Sequence, residues 1–104
     1  MEDAAATVVI VVDGDAPGRS ALVQALRRLG VRALGVAEVA DAAALLDALD
    51  ADVTVVRDAE NASLEPLRER EARVVALPGG AALDEAVVAV LRELGRPDEA
   101  ALIN

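Results

Sequence analysis

The stretch Thr7–Asp15, TVVIVVDGD, constrains the fold of this chain more than any other. It is a continuous apolar run that ends in two carboxylates flanking a glycine. A strand that is apolar on both faces belongs inside a covered, mostly parallel sheet. In open sheets of that kind, ligands and chemistry collect where the strands end. Asp13 and Asp15 therefore mark the first place to look for function.

The rest of the chain alternates in the way such a sheet needs. After a short lead over residues 1–6, expected to be disordered, Thr7–Val12 reads as the first strand. A helix is expected from the turn at Asp13–Gly18 to about Leu29, capped by Asp15 or Ala16. Its apolar positions Leu22, Ala25, Leu26 and Leu29 recur at i, i+3, i+4 and i+7, one stripe facing a core. Val31–Val36 reads as a weaker second strand, where Gly35 suggests an edge or a close approach. A second helix follows over about Ala40–Leu49, and Val53–Val56 is a short β-branched third strand. Arg57–Ala62 reads as a polar loop, and Ser63 as the cap of a short helix over Leu64–Glu71. Arg73–Leu77 is the fourth strand, ended by Pro78-Gly79-Gly80. A periodic helix spans about Ala82–Leu94, with Leu83, Val87, Val90, Leu91 and Leu94 on one face. Residues 96–104 form a tail with a possible fifth strand at Ala100–Ile103.

Strands separated by helices of this length need right-handed crossovers and a parallel sheet. The expectation is one α/β domain over residues 1–104: a flavodoxin-like open sheet, strand order 2-1-3-4(-5), helices on both faces. That order places strands one and three centrally, and those runs are the most apolar on both faces. If Ala100–Ile103 does not pair, strand four becomes an open edge and one flank of the sheet lies uncovered.

Composition removes several function classes. The 104 residues include no His and no Cys, which takes away the usual general base, the thiolate nucleophile and the usual transition-metal ligands. No Lys occurs, so there is no Schiff-base or phosphate-reading lysine. The net charge of −9 opposes binding to a nucleic-acid backbone or an anionic membrane. No apolar run approaches a membrane span. The opening MEDAAA is acidic and does not read as a signal peptide.

The run VVDGDAPGRSALVQALRRLG, then VADAAALLDAL, then ADVTVVR resembles the receiver domain of bacterial two-component response regulators. The resemblance covers residues 7–57 well and residues 58–104 loosely. It implies an acidic pocket at the strand ends that binds Mg²⁺ and an aspartate that accepts a phosphoryl group. Carried over by position, the first acid is Asp13, the second is replaced by Gly14, and the third is Asp15. The acceptor position at the end of strand three holds Arg57. Asp58 is adjacent, and in an extended chain it would face away from the pocket. The hydroxyl position after strand four is Pro78, and the family's lysine and fifth helix have no counterpart.

Aspartyl phosphorylation needs a carboxylate nucleophile and a divalent cation. The resemblance therefore implies a degenerate, non-catalytic pseudo-receiver with no cofactor and no metal, its pocket reduced to Asp13, Gly14, Asp15, Arg57 and Pro78. In one reading, Arg57 points its cation at Asp13 and Asp15 and stands in for the Mg²⁺ charge. In the other, it extends into solvent. The expected role is a protein–protein interaction module in the bacterial cytoplasm, with a homodimer or segment swap at the open edge. Two alternatives remain: an atypical phosphorylatable regulator using Asp58 or Asp13, and an unrelated α/β ligand-binding or anti-sigma-antagonist-like module marked by a mixed sheet or a different strand order.

Overall fold

The computed structural model of the protein describes residues 7–96. The lead over residues 1–6 and the possible strand at Ala100–Ile103 lie outside the described residues. Among the described residues, four strands form one parallel sheet: β1 (Val8–Val12), β2 (Arg32–Val36), β3 (Val53–Val56) and β4 (Val74–Ala76). Their order is β2-β1-β3-β4, with β1 and β3 central as their two-sided apolarity requires. Four α-helices accompany them: α1 (Ala16–Arg28), α2 (Val39–Ala48), α3 (Glu65–Arg68) and α4 (Leu83–Glu93).

Alternation along β1 divides the core in two. Val9 and Val11 face α1 and α4, whereas Ile10 and Val12 face α2 and α3. Handedness explains three of the four helix positions. The step from β1 to β2 runs one way across the sheet, and the steps from β2 to β3 and β3 to β4 run the other way. Right-handed crossovers then place α1 on one face and α2 and α3 on the opposite one. The last helix, α4, connects no two of these strands, so that rule does not assign it. It lies beside α1, and Val87, Val90 and Leu91 cover the part of the sheet that α1 leaves bare. The outer edge of β4 pairs with no strand among the described residues.

Local differences from the sequence reading have simple causes. Ser63 does not cap α3. Leu64 takes that position without a side-chain bond, and the helix is a single turn over Glu65–Arg68. The loop after β3 contains a 3₁₀ turn at Ala59–Asn61. Leu83, expected in the apolar stripe of α4, is 40% exposed because it stands at the helix start, beyond the sheet.

Candidate functional site: a cleft at the ends of the central strands

Parallel register brings the site together. Val12 of β1 pairs with Val56 of β3, so the next residues, Asp13 and Arg57, leave the sheet side by side. The ladder holds both backbones one step further. The Asp13 N–H donates to Val36 O at 3.0 Å and the Arg57 N–H to Val12 O at 3.0 Å.

Asp13 is 7% exposed. A carboxylate that deep needs partners for both oxygens, since an unpaired buried charge is costly. Its Oδ1 accepts the Asp15 N–H at 2.9 Å, and its Oδ2 lies 3.5 Å from Arg57 Nη1. At 3.5 Å the second contact acts mainly through charge rather than as a short hydrogen bond. The other terminal nitrogen of Arg57, Nη2, donates to Ala81 O just ahead of α4. Arg57 thus ties three segments together: β3 by its backbone, β1 through Asp13, and the β4–α4 loop through Ala81. A further arginine, Arg19, donates from Nη1 to the main-chain oxygen of Asp13 at 2.9 Å.

Asp15 has a different job. It is the N-cap of α1, and its Oδ2 accepts the Gly18 N–H at 2.9 Å. No ion pair joins it to Arg57 among the described residues. Of the two expected partners for Arg57, the structure keeps Asp13 and replaces Asp15 with a main-chain carbonyl. Gly18 makes the packing possible. A Cβ there would stand 2.7 Å from Asp15 Oδ2 and 3.0 Å from Asp13 Oδ2. A glycine in the first turn of a helix carries a propensity cost, and that is the signal in the sequence that points to such crowding.

Two expectations need correction. Asp58 does not face away. Its backbone is left-handed, with φ 58° and ψ 42°, so the chain is not extended there. Aspartate tolerates this conformation better than most residues. The turn swings its carboxylate toward Gly79, where an added Cβ would lie 2.7 Å from Asp58 Oδ1. Asn61 Nδ2 donates to that same oxygen at 2.9 Å. Pro78, in turn, is exposed and does not line the cleft. Gly79 and Gly80 do, because the loop turns inward only after the proline.

The result is a cleft of about 490 Å³ lined by Asp13, Gly14, Asp15, Arg57 and Asp58 together with those two glycines. A second cleft of about 450 Å³ shares Gly14, Arg57 and Asp58 and runs toward the start of α2 and Pro66. Each of the three carboxylates is committed to a donor of this chain: Asp13 to Arg57 and Asp15 N–H, Asp15 to Gly18 N–H, Asp58 to Asn61. Among the described residues, no group of three or more acidic, His or Cys side chains is arranged to hold a metal ion. Fold and site together define a class: an open parallel α/β sheet whose strand-end cleft holds an arginine against its buried carboxylate. In comparison with known proteins, no family model matches this chain, and no curated protein matches it.

Proposed function

We propose that this chain is a non-catalytic, receiver-like module that works by binding another protein, without phosphoryl transfer, in bacterial cytoplasmic signalling. One observation carries the reading. The side chain at the end of β3, where transfer would need a nucleophile, is a guanidinium set 3.5 Å from the buried Asp13 carboxylate and bonded to Ala81 O. A cation already in the cleft meets the charge that a divalent ion would otherwise neutralise, and a guanidinium cannot accept a phosphoryl group. The parallel 2-1-3-4 order favours this reading over an anti-sigma-antagonist-like module, whose expected mark is a mixed sheet or a different strand order.

The test is incubation with acetyl phosphate and Mg²⁺, and separately with beryllofluoride and Mg²⁺, read by intact mass and amide NMR. Neither treatment is expected to change the mass or the spectrum. Arg57→Gln keeps much of the reach and removes the charge, leaving the Asp13 carboxylate with the Asp15 N–H but without its cation. It is expected to lower the unfolding free energy by about 1–3 kcal/mol. A stable adduct on the wild-type chain overturns the proposal. The second reading, an atypical phosphorylatable regulator, draws on the Asp58 carboxylate in the same cleft. An adduct that vanishes in Asp58→Asn would establish it.

A further inference from the structure

Asp13-Gly14 is the one Asp-Gly step in the chain. Such a step is open to ring closure, because glycine has no side chain to shield its nitrogen or to restrict the backbone. Neither space nor backbone angle requires a glycine at 14. Its φ lies outside the left-handed region, and an added Cβ would meet only Ala37 O, at 3.9 Å, an ordinary contact. Gly14 is exposed, and its N–H has no hydrogen-bond partner among the described residues. The nucleophile for ring closure therefore stands free, next in the chain to the carboxyl it would attack.

The reaction needs only water. The Gly14 nitrogen attacks Asp13 Cγ, and the new C–N bond closes a cyclic imide. A carboxyl oxygen leaves as water, taking the amide proton and one proton from solvent. Water then adds back to either imide carbonyl. Breaking the bond to Cγ restores aspartate; breaking the original peptide bond leaves isoaspartate, whose main chain runs through Cβ and Cγ. The folded chain holds Asp13 at its carboxyl and along its main chain. Oδ1 accepts the Asp15 N–H at 2.9 Å, and Oδ2 lies 3.5 Å from Arg57 Nη1. The Asp13 carbonyl accepts from Arg19 Nη1 at 2.9 Å, and its N–H donates to Val36 O at 3.0 Å. Ring closure needs rotation of both the side chain and the main chain of Asp13, so each of these contacts opposes it. Asp13 is also buried, so it reacts only from a locally opened state.

We propose that Asp13-Gly14 is a latent self-modification site, able to pass through the imide to isoaspartate, and that Arg57 is the lock that keeps it closed in the folded chain. The lock and the bond protect each other. Isoaspartate carries its free carboxylate directly on Cα, so the side-chain carboxylate that faces Arg57 is lost and the end of β1 gains a main-chain carbon. The inference does not rest on the receiver-like reading. The phosphorylation experiment reads an adduct and the present one an isomer, so the two fail separately.

The test warms the whole chain at neutral pH and follows isoaspartate with time by isoaspartyl methyltransferase labelling. Electron-transfer mass spectrometry of the tryptic peptide over residues 1–19 gives the position. Unfolded in urea, the wild type is expected to form isoaspartate at Asp13; folded in buffer, it should do so at least about a hundredfold more slowly. Arg57→Gln, checked as folded by far-UV circular dichroism, should react at least about tenfold faster than the folded wild type. Adding Gly14→Ala to Arg57→Gln should remove most of the signal. Leu26→Ala weakens the core without touching Asp13 and should stay within about threefold of the wild type. A folded wild type as fast as the urea sample overturns the proposal, and this comparison needs no variant to fold. No isoaspartate at Asp13 in urea overturns it as well. An Arg57→Gln rate equal to that of the wild type, or matched by Leu26→Ala, assigns the protection to the fold at large and removes Arg57 as the lock.

Discussion

The two faces of the sheet do not carry equal weight. Among the described residues, fifteen buried ones form a single cluster between the sheet and α1 and α4, with helices of 13 and 11 residues above it. Between the sheet and α2 and α3, the corresponding cluster has five buried residues, under helices of 10 and 4 residues. Leu45 and Leu46 of α2 are only partly buried there. What the thin face lacks in apolar area it makes up in part with a polar clasp. Arg70, just after α3, reaches back to Asp47 of α2 with two hydrogen bonds, Nε to Oδ1 at 2.9 Å and Nη2 to Oδ2 at 3.0 Å. A buried aliphatic contact keeps its value in salt and acid, whereas an exposed ion pair does not. The difference is one of degree: the α1/α4 side holds the more fully buried core, while the α2/α3 side relies on partly buried side chains, and each side carries an exposed ion pair, Arg73–Glu93 on the first and Arg70–Asp47 on the second.

Leucine truncation gives the most direct way to break this comparison. Leu26→Ala, in the thick face, is expected to cost about 3 kcal/mol, whereas Leu46→Ala, in the thin face, should cost about 1 kcal/mol. Equal losses in urea unfolding followed by far-UV circular dichroism would remove the distinction.

A smaller effect, of opposite sign, sharpens it. Thr54 is 1% exposed, and by alternation along β3 it points to the thin face. Its hydroxyl has no hydrogen-bond partner among the described residues. Thr54→Val replaces that hydroxyl with a methyl group of similar size and is expected to gain roughly 1 kcal/mol. A loss of stability would mean that the hydroxyl is satisfied and the thin face better built than it looks.

The smallest effect is on the clasp itself. Hydrogen bonds from Arg70 chiefly hold the Asp47 carboxyl below its ordinary value, against a weaker opposing effect of desolvation. A carboxylate lowered in the folded state adds stability above its unfolded value, and that contribution is lost as pH falls through the folded one. The clasp therefore weakens in acid, and the thin face weakens with it. Carboxyl NMR titration should find the Asp47 midpoint low in the wild type and higher in Arg70→Gln. An unchanged midpoint would show that the two side chains do not pair in solution.

Much of this was legible in the residues. The apolar run Val8–Val12, the helix stripe of α1 and the turn at Pro78-Gly79-Gly80 each carry their own local signal. Together they lead to a parallel 2-1-3-4 sheet by periodicity and crossover rules. The nearness of Asp13 and Arg57 followed as well, because each directly succeeds a central strand. The choice of partners was less visible. Asp15 was free to cap α1 or to face Arg57, and the cap prevailed because the Gly18 N–H lies within 2.9 Å. The carbonyl of Ala81 carries no side-chain signal at all, so nothing in the composition of the loop marks it as Arg57's acceptor. Asp58 was misplaced because one left-handed residue reverses the direction that strand alternation predicts.

What the sequence determined by itself was the order of elements, their apolar faces and the pairing of central strands, since these depend on local periodicity and on chain handedness. The tertiary structure alone decided which face of the sheet α4 covers. An apolar stripe states that a helix must be buried but not where, and crossover handedness is silent for a helix that joins no two of these strands. That one choice sets α4 beside α1. It forms a groove with Leu83 at its rim, and it brings the loop ahead of α4, with Ala81, within reach of Arg57.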